Sequence, residues 1–75
     1  MNKERRDQLR IVIQKISNVI QSLEMILCDE QEAYDNMPEG LKESEKGINS
    51  VDAQENIEAA MNALEEASAC LEEVC

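Results

Sequence analysis

Histidine, tryptophan and phenylalanine are absent from these 75 residues, and tyrosine occurs once, as Tyr34. Without histidine the chain lacks the side chain that most often moves protons near neutral pH and most often binds divalent metals. Without large aromatics it lacks the usual main contributors to core burial. Proline occurs once (Pro38) and glycine twice (Gly40, Gly47), so the strong punctuation of the backbone falls in one short segment. The three cysteines, Cys28, Cys70 and Cys75, are odd in number and widely spaced. With no histidine beside them they argue against both a disulfide framework and a zinc site. Reduced thiols in a cytoplasmic protein are the simplest reading. No run is expected to approach the ~18 apolar residues that a bilayer crossing needs. The start, Met1 to Asp7, leads into an amphipathic pattern and does not read as a signal peptide.

What the chain does hold is aliphatic residues in register. Setting Leu9 at heptad position a places Val12 at d, Ile16 at a, Val19 at d, Leu23 at a and Ile26 at d. A further column, Ile13, Ile20, Leu27 and Tyr34, occupies e at seven-residue intervals. Such spacing argues against a disordered acidic chain and, sustained from Leu9 to Tyr34, decides for helix over strand despite the β-branched run Ile11-Val12-Ile13. Columns d, a and e cover an arc of roughly 100°, wider than a two-stranded coiled-coil seam. So broad an arc predicts two helical neighbours. Ile11 and Met25 fall at c, on the back.

The first helix is predicted over about residues 3–36, roughly 50 Å long at 1.5 Å per residue. It ends before Pro38, which disfavours helical geometry in the residue preceding it. The segment 37–50 reads as the turn, with one short helical turn at Leu41–Lys46 closed by Gly47. A second helix, about 51–74, follows a capping-box-like Asp52 and Glu55. It carries Ile57, Leu64 and Leu71 at a, Ala60, Ala67 and Val74 at d, and Met61 at e.

One domain, residues 1–75, is all that this length allows, close to the size at which a single core fails to offset chain entropy. The expected architecture is all-α: an antiparallel two-helix hairpin that dimerises into a four-helix bundle. Its oligomer core comprises Leu9, Val12, Ile13, Ile16, Val19, Ile20, Leu23, Ile26, Leu27, Ile57, Met61, Leu64 and Leu71. Charge supports the antiparallel sense. Residues 1–20 carry net +3 and residues 21–75 net −13, within a total of −10. The basic start of helix one is therefore expected beside Glu65, Glu66, Glu72 and Glu73 at the end of helix two.

Chemistry is hard to find. Acid pairs such as Asp29-Glu30, Glu65-Glu66 and Glu72-Glu73 point different ways on a helix, and no Glu-x-x-His pair exists for a di-metal bundle. The run from Asp29 to Asp35 lacks the alternation and central glycine of a calcium loop. Nothing cationic adjoins Cys28 in sequence to activate it. A non-enzymatic protein without cofactors is expected.

The block Glu30 to Glu45, with Tyr34-Asp35-Asn36-Met37-Pro38-Glu39 at its centre, resembles a signature of small acidic helical-hairpin proteins of phages and mobile elements in Gram-positive gut bacteria. In that family a basic Leu/Ile-rich helix precedes the turn and an acidic Ala/Leu helix follows. This chain departs by its extra aliphatics and its three cysteines. The resemblance implies a phage-encoded accessory or counter-defence protein in the host cytoplasm that acts by binding, with a host protein as the expected partner. Self-association is expected from the short chain and its broad apolar arc, and no membrane or nucleic-acid partner is expected. A different reading rests on Lys3, Arg5, Arg6 and Arg10, which form a possible anion-binding cluster for a small nucleotide signal. Arg6 and Arg10 stand one helical turn apart. Two such clusters meet only if a dimer brings its helix-one N-termini together.

Overall fold

In the computed structural model, which describes all 75 residues, the chain is wholly helical outside its turns. It forms three helices: α1 (Lys3–Asp35), α2 (Glu39–Lys42) and α3 (Glu45–Glu72). Asn2 caps α1 by accepting a 2.9 Å hydrogen bond from the Arg5 N–H. At the other end the Asn36 N–H donates to the Glu32 carbonyl and the Met37 N–H to the Tyr34 carbonyl, and Pro38 follows as the N-cap of α2.

The connection is shorter than the sequence predicts. Helix α3 begins at Glu45, not near residue 51, and Asp52 and Glu55 lie exposed in its interior instead of capping it. Ser44 is the N-cap residue, but its hydroxyl donates to the Leu41 carbonyl and accepts no hydrogen bond from the N–H groups of α3. Nor does Gly47 stop a helix. It is buried in the first turn of α3, where a Cβ would collide with the backbone carbonyl of Lys42. Its missing side chain lets α2 lie directly against α3.

Helix α3 retraces α1. Ser50 Oγ donates to Glu30 Oε1 at 2.8 Å, and Cys75 Sγ approaches the Arg6 carbonyl at 3.6 Å. Facing residue numbers thus add to 80 at one end and 81 at the other, a constant register over the length of the pair. Leu9 is level with Leu71, Ile16 with Leu64 and Leu23 with Ile57, and all six are half-buried.

The contact stripe of α1 is Arg6, Leu9, Ile13, Ile16, Ile20, Leu23, Leu27, Glu30 and Tyr34, which is columns a and e. That of α3 includes Ile57, Met61, Leu64, Ser68 and Leu71, again a and e. Column d is left out, apart from Ala53 near the turn, which is half-buried. Val12, Val19 and Ile26 are 41%, 48% and 53% exposed.

No apolar side chain is fully buried anywhere; the two buried residues are Gly47 and Ser50. The radius of gyration is 17.1 Å, against about 11 Å for a compact chain of this length. The molecule is a rod of 58 × 15 × 12 Å.

Candidate functional site

The two long sides of the rod differ in chemistry. Around a right-handed helix, columns b and d lie to opposite sides of an a/e seam. For two helices running in opposite senses, like columns then fall on the same side of the pair. The structure bears this out: Ser17 and Glu24 of α1 share one open groove with Glu65 and Glu72 of α3, all four at b. Gln14, Gln21, Ser68 and Ala69 also line that groove, together with Ile13 and Ile20. Its volume is about 520 Å³, wide open to solvent. This is the acidic side.

The d columns occupy the other side. Val12, Val19 and Ile26 come from α1, and Ala53, Ala60 and Ala67 from α3, with Val74 just past its end. Ala63 and Cys70 flank them at g, and both are exposed. Ile11 and Met25, at 58% and 70% exposure, lie on the back of α1 and belong to neither side.

The basic cluster is not assembled as a pocket. Arg10 Nη1 is 2.8 Å from Asp7 Oδ1 on its own helix, Arg6 is half-buried at the seam, and Lys3 and Arg5 are exposed. The expected ion pairs between the start of α1 and the glutamates ending α3 are not formed. Both ion pairs in the structure, Arg10–Asp7 and Lys42–Glu39, are three residues apart within one helix. The physical reason is that an exposed pair gains little over two hydrated ions and costs side-chain freedom.

Near the turn, the Lys42 ammonium sits 5.4 Å from the centre of the Tyr34 ring. Gln54 Nε2 donates to Ser50 Oγ at 3.4 Å, extending the Glu30–Ser50 bond into a short chain. Sequence reasoning passed over Ser50, although a Ser on the inner stripe of a helix was the available signal. All three cysteines are exposed and unpaired. No three cysteine or carboxylate groups are gathered where a metal ion could be held.

Hydropathy corrects one expectation. Helix α1 contains a window long and apolar enough, by composition, to cross a membrane. Unbroken apolar runs do not reveal it, because Gln, Ser, Asn and two charges, Lys15 and Glu24, interrupt the aliphatic residues. No protein-family model, curated protein or solved structure matches the chain.

Proposed function

We propose that this chain is a non-enzymatic interaction protein: an antiparallel helical hairpin that pairs with a second copy into a four-helix bundle and presents its acidic side to a host protein. One observation carries the reading, the absence of any buried apolar side chain in a chain that is helical almost throughout. Ordering each residue costs on the order of 1.5 kcal/mol, and half-buried aliphatics along a single seam do not offset it. Partner surface supplies the rest.

On the acidic side, Glu24, Glu65 and Glu72 line one groove, and fifteen acids in residues 21–75 set the field around it. A partner with a basic surface suits that field, and its capture weakens as salt rises. The resemblance of the Glu30–Glu45 block supplies the context, a phage accessory or counter-defence role in the cytoplasm of a bacterial host. The nucleotide-sponge reading gains no support from the start of α1, where Asp7 already pairs Arg10.

Sedimentation equilibrium together with circular dichroism from micromolar to millimolar chain tests the proposal. Mass and helicity should rise together with concentration. A monomer with full helicity throughout that range overturns it.

A further inference from the structure

The exposed d columns make one continuous face, and we infer that this face is where two copies of the chain meet, with α1 of each lying on α3 of the other. The inference rests on the dimer reading above and adds the surface and the orientation.

Charge points to this surface first. Two chains of net charge −10 repel over most of their area. Of the seventeen acids, none lies in the d or g columns of α3, which read Lys46, Asn49, Ala53, Asn56, Ala60, Ala63, Ala67 and Cys70, with Val74 continuing column d just past the helix. Column d of α1 carries Arg5, Val12, Val19, Ile26 and Ala33, and its g column holds a single acid, Asp29, near the turn. Like-charged copies can approach closely here.

Size agrees. A side 58 Å by 15 Å outlines about 900 Å² per chain, against the ~800 Å² per partner of a stable complex. Its apolar centre with polar ends has the usual anatomy of an interface.

Shape then selects the orientation. The α1 half of the face is built of Val and Ile, the α3 half mostly of Ala. A two-fold axis along the helices lays each Val/Ile column on the partner's Ala column, filling space evenly. A two-fold axis across the helices stacks large on large and small on small, leaving a gap along α3. The first arrangement also fixes the level, because an axis along the rod allows no sliding. On the observed register Val19 then faces Ala60 of the second copy. It brings both α1 N-termini to one end of the bundle. A membrane surface fits less well, because the alanine half offers little apolar depth and the rest of the chain is strongly acidic.

The first experiment is sedimentation equilibrium of Val19→Glu against Met25→Glu, the latter on the back of α1. Val19→Glu should weaken association by at least about 100-fold, whereas Met25→Glu changes it less than about threefold. If the unaltered chain is a dimer and Val19→Glu leaves it one, the face is wrong while the dimer reading stands. If the unaltered chain is a helical monomer, both fail. Gain of helix only on vesicles of mixed neutral and anionic lipid overturns the second copy as occupant. Because Val19→Glu can unfold the chain as it dissociates, a second test keeps the fold. In a C28S/C70S/C75S background, chains with Val19→Cys and chains with Ala60→Cys are mixed and mildly oxidised. Disulfide-linked heterodimers support the proposed orientation. Val19→Cys chains that link to one another while the mixture forms no heterodimer overturn it.

Discussion

The turn end of the rod and its arms are held by different means. At the turn, Gly47 and Ser50 are the only buried residues, and each makes a specific contact: Gly47 with the Lys42 backbone, Ser50 with Glu30. Along the arms, from Leu9 to Leu27 and Ile57 to Leu71, the seam is aliphatic and no residue is buried. Specific polar and steric contacts fix which residues face which, since a one-residue slip breaks them. Aliphatic contacts supply area but tolerate sliding. Register is therefore set at the turn, and most of the stabilisation comes from the arms together with whatever covers their open side.

A charge in the arms should be the most damaging change. Leu23→Asp puts a carboxylate into the seam opposite Ile57, at a cost of about 3 kcal/mol or more. In a chain so thinly stabilised that abolishes the helical signal in circular dichroism. Gln21→Asp, at an exposed position beside it, should change the melting temperature by no more than a degree or two.

Next in size is Gly47→Ala, at the turn. Alanine gains up to ~1 kcal/mol of helix propensity over glycine. Here the new methyl meets the Lys42 carbonyl and its neighbouring backbone atoms, which cannot rotate away as a side chain would. Overpacking of 1–3 kcal/mol is ordinary where something can yield, and little yields here. The net effect should be a loss of about 2 kcal/mol, read by urea denaturation. A stabilised variant would show that α2 moves freely and that the turn does not set the register. Ser50→Ala should cost about 1.5 kcal/mol, because it removes the donor to a carboxylate in a half-buried setting. Glu30→Gln in the same background should recover part of that loss, since a neutral amide is less costly to leave without this partner. Equal losses for Ser50→Ala alone and in the double variant would mean the bond contributes nothing.

Much of this was legible in the residues. The heptad gave α1 to within a residue at each end, because seven-residue periodicity over 26 residues leaves no other regular structure. It also gave the three apolar columns. Periodicity cannot say which two columns face a helix in the same chain, and a and e do so here because α3 offers its bulky residues on its own a and e columns. Gly47 was misread since glycine as a helix stop and glycine as a close-approach site look alike in sequence. Gly47 read as a stop puts the start of α3 near residue 51 and gives Asp52 and Glu55 a capping role that Ser44 holds by position. The charge asymmetry between the two ends was real, but it did not translate into ion pairs.

Gly40 gives the smallest expected effect, opposite in sign, and it isolates what makes Gly47 special. Both glycines lie in helices, and neither has a positive φ. A Cβ on Gly40 would meet nothing within 4 Å. Gly40→Ala therefore brings no clash, lowers the backbone entropy of the unfolded chain and improves helix propensity in α2, for a gain of about 0.5 kcal/mol. That gain is near the lower limit of what paired urea titrations resolve, so it is best measured in the Ser50→Ala background, where the transition falls at lower denaturant and its baselines are better defined. The two changes lie on different helices with no shared hydrogen bond, so their effects should add. A gain at Gly40 beside a loss at Gly47 identifies close approach to Lys42, and not glycine flexibility, as the reason for glycine in α3. If both substitutions destabilise, the conformational freedom of the whole 36–47 connection matters more than the contact between α2 and α3.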